Sequence, residues 1–250
     1  MSDLDAFPEE ARRALERARA KRLSYAVRVV RAPDGRLVAI LGEAHMKLEE
    51  ARAIGEAVVR SFELRGVETF QRKQVTLGRA LGFCIQAPRT LLRILSLGAV
   101  KGSTITDAKQ LPSGYTVELE RAKSMPLGLH VASIYMTGFF VTSFLALIAP
   151  FLIPIVPGFA ATVLAIAFLF QLHMIALVPG FLLRRYTWSW LLHPFLGILS
   201  PRDVLMANGT VRMLADHPKL PHAVVVMGRA HVSGYERLLV EEHGFTRLST

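Results

Sequence analysis

The sequence predicts an α/β fold: a mixed sheet flanked by helices, with an inserted transmembrane helical hairpin. Three observations carry this. Apolar, β-rich runs alternate with helical segments, as in βαβ units. Two strand ends read almost alike, LVAILGEAHM at 37–46 and AVVVMGRAHV at 223–232. From Ser124 to Leu183 the chain has no Asp, Glu, Lys or Arg, whereas a helix on a globular surface needs a polar face.

The elements follow in order. Residues 8–22 form a charged helix with Pro8 at its start and Ala11, Leu15 and Ala18 on one side. The runs at 24–31 and 36–43 flank Pro33-Asp34-Gly35, a turn signal, which predicts a β-hairpin. KLEEARAIGEAVVRSFEL follows as a helix and RGVETF at 65–70 as a short strand; strand–helix–strand order implies a parallel pair. Residues 72–113 read as helical and basic, and Arg79, Arg89 and Arg93 argue against a crossing there. GYTVELER at 114–121 alternates as a strand, with Glu118 and Glu120 on its solvated face.

The apolar block then divides at Pro150, Pro154, Pro157 and Gly158. A crossing needs roughly 20 apolar residues, which places one at 130–152 and a second at 159–182. Arg121 and Lys123 precede the block, and Arg184 and Arg185 follow it. Positive charge at both ends puts both on the cytoplasmic side. Tyr186, Trp188 and Trp190 suit an interfacial aromatic belt. Past it, Ser200-Pro201-Arg202-Asp203 reads as a helix start, followed by the strand AVVVMG, the helix GYERLLVEEHG and a short terminal strand. The chain thus divides into an N-terminal half-domain (1–123), the hairpin with its interfacial segment (124–199) and a C-terminal half-domain (200–250).

Composition narrows the partners. Net charge is +10, with 52% hydrophobic and 20% charged residues. A basic balance suits nucleic acid or an anionic membrane surface. No basic run interleaves with aromatics and no nucleic-acid motif appears, so the bilayer is the expected partner and nucleic acid is not. Cys84 is the single cysteine, which excludes an intrachain disulfide and reads as a packed apolar residue. The N-terminus lacks the apolar core of a signal peptide, so the soluble halves are expected in the cytoplasm.

The repeated strand end carries the chemistry. Sites in parallel α/β sheets form beyond the carboxyl ends of strands, and both runs deliver a histidine there, His45 and His231. Gly42 and Gly228 let the backbone turn tightly and approach a ligand. On neighbouring strands the two imidazoles would face one another and suit a divalent transition metal (Mn, Co or Zn), with carboxylates completing the shell. Glu43, inside the first motif, is a candidate base. His130 and His173 fall in the apolar block, His130 near the interface and His173 placed to bond Gln171 or across the hairpin.

GEAHM and GRAHV, with RDVLMA upstream of the second, resemble the TraB/TIKI/GumN superfamily. Its members carry two Gly-x-x-His motifs, a glutamate after the second strand, and an Arg-Asn or Arg-Asp-x-x-Met element. Here the last reads Arg202-Asp203-Val204-Leu205-Met206, and the glutamate falls at Glu68. The resemblance covers most of 36–122 and 200–248. It implies a metal-dependent hydrolase fold, peptidase-like in some members, with a peptide or protein substrate. It further implies His45 and His231 as metal ligands, Glu68 as ligand or general base, and Arg202 as the anchor of substrate or transition state. Unlike the extracellular members, this chain places its site in the cytosol and its hairpin between the two motifs. The alternatives are an integral-membrane binding or regulatory protein that keeps the fold without turnover, and a soluble homo-oligomer whose apolar helices bury one another.

Overall fold

The structure, a computed structural model, describes residues 3–44, 49–97, 103–175, 188–191 and 193–248. The first part of the chain forms α1 (Glu9–Ala20), β1 (Tyr25–Arg31), β2 (Leu37–Glu43), α2 (Glu49–Arg60) and β3 (Leu64–Val67). Next come α3 (Gly78–Leu95), α4 (Thr104–Gln110), β4 (Tyr115–Glu118), α5 (Leu127–Leu152) and α6 (Pro157–Ile175). After the apolar block lie α7 (Ser200–Asp216), β5 (His222–Gly228), α8 (Val232–His243) and β6 (Thr246–Leu248). The chain divides into two compact units. One holds Met1–Phe70, Arg89–Ala122 and Asp203–Thr250; the other holds Gln71–Pro88 and Lys123–Arg202.

In the first unit six strands form one mixed sheet in the order β4-β3-β5-β2-β1-β6. The expected hairpin pairs β1 and β2 antiparallel, from Tyr25↔Glu43 to Arg31↔Leu37. Gly35 turns it at φ 89°, a conformation that glycine adopts without steric cost. β5 enters from far along the chain and pairs in parallel with both β2 and β3. The two motif-bearing strands are therefore neighbours. β2 is buried along its whole length and β5 from Ala223 onward, which is why both read as nearly unbroken apolar runs.

The sheet is covered on both faces. Ala11, Leu15 and Ala18 of α1, Val58 and Val59 of α2 and Ala108 of α4 pack against Val27, Val29, Ala39, Leu41, Val224 and Val226. On the other face Met206, Ala207 and Met213 of α7 and Tyr235 and Leu239 of α8 meet Val38, Ile40, Val225 and Met227. The period-2 alternation of β2 and β5 sorts their side chains between these two cores. The chain leaving β2 goes to the first helical layer, and the next sheet-packed helix after β3, α4, lies there too. The chain leaving β5 goes to α8 in the opposite layer. Such divergence marks the carboxyl ends of the strands beside β5 as the edge where sites form in α/β sheets.

Two expectations are corrected here. Strand β4 stops at Glu118, and Glu120 is only 1% exposed, not part of a solvated face. Glu118 behaves as expected, pairing with Lys109 at 3.1 Å in the open. The two glycines of the repeated motif do not have the left-handed backbone that tight turning would use: among the described residues positive φ at glycine occurs at Gly35, Gly114 and Gly244. Gly42 is needed for space instead, since a Cβ there would overlap Val232 Cγ2.

In the second unit α5 and α6 form an antiparallel hairpin. Tyr135 Oη and His173 Nδ1 lie 2.9 Å apart across it, so His173 bonds across the pair. Phe170 packs over Gly138, and Ala149, Ala160 and Val163 close the other end; small residues let the helices approach closely. Pro150 sits inside α5, and the turn follows Leu152. Among the described residues one helix stretch, Leu127–Phe151, is long and apolar enough to cross a membrane, with 17% of its most apolar window buried. The corresponding stretch of α6, Pro157–His173, is shorter, and the expected second crossing runs on into residues outside those described.

Candidate functional site at the ends of β3 and β5

Gly228 closes β5 and the chain enters a single 3-10 turn, Arg229–His231, before α8. That turn tucks His231 inward, 3% exposed. Its Nδ1 lies 2.6 Å from Asp203 Oδ1 on the first turn of α7, and Asp203 is 2% exposed. A carboxylate accepts, so the short contact assigns the Nδ1 proton to the imidazole and leaves Nε2 to act on the other side.

The next group Nε2 meets is a second carboxylate. Glu68 follows β3 by one residue and its backbone N–H extends the ladder, donating to Val226 O at 3.0 Å. Its Oε2 accepts from Gly228 N–H at 2.5 Å, and Oε1 stands 3.8 Å from His231 Nε2. Two adjacent parallel strands thus fix a glutamate and a histidine at one sheet edge. Zinc ligands lie about 2.0–2.2 Å from the ion, so two of them can be at most about 4.4 Å apart. The observed separation falls inside that limit. The Asp203–His231 contact is the arrangement that orients a ligating histidine from behind. Among the described residues no three donors converge on one point.

The remaining predicted residues are placed as follows. His45 lies outside the described residues, so the expected approach of His45 to His231 does too. What leads to it is described: Glu43 at the end of β2 is in register with Gly228, and Ala44 N–H donates to Ser24 O at 2.8 Å. The register also shows that the two motif copies are offset. Gly42 faces Met227, not Gly228, along the paired strands. Because side chains alternate along a strand, Gly42 and Gly228 stand at positions of opposite facing in their strands. Glu43 is 1% exposed and is held by the start of α4: Ser103 Oγ and Thr104 N–H both donate to its carboxylate, the latter at 2.9 Å. Arg202, 6% exposed, precedes Asp203 on the first turn of α7.

Sequence reasoning treated Asp203 as a helix-start acid and missed its bond to His231. The signal was present, since Asp203 belongs to the same Arg-Asp-x-x-Met element as Arg202. Cys84 is buried and burial pushes its thiol pKa up, as fits a packing residue. His130 Nδ1 accepts from Thr76 N–H at 3.0 Å near the start of α5.

The fold and this edge define a mixed α/β sheet with an imidazole set between two carboxylates at the carboxyl ends of parallel strands. Compared with family models, with curated proteins and with solved structures, the chain matches none.

Proposed function

We propose that this chain is a membrane-anchored, TraB-like protein with a divalent-metal-dependent hydrolase site, peptidase-like in its chemistry. The observation that carries the reading is the alignment of Asp203, His231 and Glu68 at the ends of β5 and β3. Asp203 holds the Nδ1 proton and keeps the ring from turning. His231 Nε2 and Glu68 Oε1 are then the two donors presented together, with His45 the expected third. A bound divalent ion would act as a Lewis acid on a substrate carbonyl and lower the pKa of water near it. Glu68, anchored through Gly228 N–H at Oε2, would offer Oε1 either to such an ion or, as general base, to a proton of the attacking water. Arg202 is assigned the substrate's developing negative charge by the resemblance to the family.

In this reading α5 and α6 are two crossings that anchor the chain, with the α/β halves on the cytoplasmic side. The exposed faces of α5, with Phe144, Leu147 and Phe151 all more than half exposed, support burial in lipid. Flanking arginines and lysines support the orientation.

The test is metal analysis of detergent-purified protein after supply of Mn, Co or Zn, beside His45→Ala, His231→Ala and Glu68→Gln. Stoichiometric metal in the wild type, lost in the histidine variants, is the expected result. Wild type that stays metal-free sinks the reading. Metal without cleavage of a peptide pool leaves the binding or regulatory protein as the reading that survives.

A further inference from the structure

The helix α3 contributes nothing to the site described above, yet it carries an unusual surface. Its apolar residues are turned outward: Phe83 is 73% exposed, Leu91 57%, Ile94 65% and Leu95 69%. At about 100° per residue Phe83, Leu91 and Ile94 share one side, with Leu95 at its margin. Arg79 and Arg93, both exposed, occupy the adjoining side. Leu81, fully buried, marks the side that faces the protein. Along this stretch of the chain the charge has one sign. From Gln71 to Thr106 there is no Asp or Glu, while Arg72, Lys73, Arg79, Arg89, Arg93 and Lys101 all fall in that span.

We propose that α3 lies in the plane of a membrane surface and docks on anionic lipid headgroups. An apolar side flanked by basic residues is the composition of an interfacial helix: Phe83, Leu91, Ile94 and Leu95 enter the acyl boundary while the arginines extend to phosphate. The alternatives fit less well. Nucleic acid would satisfy the arginines but leave four large apolar side chains in water. A second copy would cover the apolar side but set Arg79 and Arg93 of one helix against the same cations of the other. The occupant is therefore a leaflet rich in anionic phospholipid.

The proposal rests on the reading of the chain as bilayer-anchored, and its test separates the two. Full-length protein carrying Cys84→Ser is reconstituted into phosphatidylcholine vesicles with and without phosphatidylglycerol. A nitroxide is placed at Ile94→Cys, at Leu147→Cys on α5, or at Ser113→Cys in an exposed loop. Collision with oxygen and with a water-soluble nickel chelate then reports depth. Position 94 is expected to be shielded from nickel when phosphatidylglycerol is present. Each basic residue near an anionic surface contributes about a fivefold gain in partitioning, so replacing Arg79 and Arg93 together with Gln lowers the docked-to-free ratio about 25-fold. Nickel access at 94 equal to that at 113, with 147 shielded, overturns the proposal and leaves the anchor standing. Nickel access at 147 with shielding at 94 overturns the anchor and supports docking by α3. Spin–spin broadening at 94 that does not depend on phosphatidylglycerol overturns the proposal in favour of a self-contact, and indifference to loss of the arginines overturns it as well.

Discussion

Asp203 and His231 come from positions 28 residues apart and meet at 2.6 Å, and their contact sets which imidazole nitrogen faces the rim. Asn at 203 keeps the shape and an acceptor oxygen but removes the charge that fixes the proton at Nδ1. Loss of such an outer partner costs on the order of 10–100-fold in metal affinity. Asp203→Asn is expected to weaken metal binding by that factor in a chelator competition, with folding retained by circular dichroism. Unchanged affinity would remove Asp203 from the site. A second residue ties protonation to stability. His222 begins β5 against Phe7, its Nδ1 buried without a hydrogen-bond partner, and burial pushes its pKa below the usual 6.5. Below that value the unfolded chain binds the proton and the native imidazole does not, so stability falls as the pH drops from about 6.5 toward the native pKa. His222→Phe keeps a ring beside Phe7 and is expected to flatten this acid dependence in denaturant titrations at pH 7 and pH 5. An unchanged slope would place the acid sensitivity elsewhere.

At the scale of elements, close approaches at glycine decide how helices and sheet meet. Gly209 of α7 passes so near the chain after β4 that a Cβ would overlap the Leu119 carbonyl oxygen. Backbone cannot yield there as a side-chain tip could, so Gly209→Ala is expected to cost about 1–3 kcal/mol, as overpacking does, read as a fall in the denaturation midpoint. Gly42→Ala tests the rim itself. The added methyl overlaps Val232 Cγ2 and presses on Arg229 Cα at 3.2 Å, so the turn holding His231 must shift. The expected result is loss of metal binding larger than the loss of stability. Equal losses would mean that β2 and the turn move together without disturbing the site. Much of this layer was legible in the sequence. The hairpin, α1, α2, α7 and α8 follow from Pro-Asp-Gly, from capping residues and from helical apolar spacing, all local signals. The one-residue offset of the two motifs was not legible, because register is set by packing against both helical layers.

For the whole molecule, the charge-free block makes the strongest demand. A helix that exposes Phe144, Leu147 and Phe151 needs lipid, detergent or another apolar surface. Alkaline carbonate washing of membranes is expected to leave the chain in the pellet. Its release would favour the soluble oligomer. The site follows a different logic, since its described parts come from 68, 203 and 228–231, the first lying before the apolar block and the others after it. His231 could be picked from the sequence as a residue following a strand-like run, and Glu68 through the resemblance to the TraB/TIKI/GumN superfamily. Asp203 lies in the same Arg-Asp-x-x-Met element as Arg202, yet no local pattern pairs it with His231, because a helix-start acid satisfies the dipole rule on its own. Glu120 was misjudged for a similar reason: alternation predicts exposure only while the strand continues, and β4 ends at Glu118.

The sequence by itself determined the α/β class, the apolar hairpin segment and the placing of His231 just past a strand, because each is written in local periodicity, charge or turn chemistry. Only the tertiary structure decided that β5 lies between β2 and β3, that Glu43 is held by α4, and that Asp203 and Glu68 flank His231. Those outcomes depend on which apolar faces meet across long loops, and that is a property of packing between distant segments, which no local pattern records.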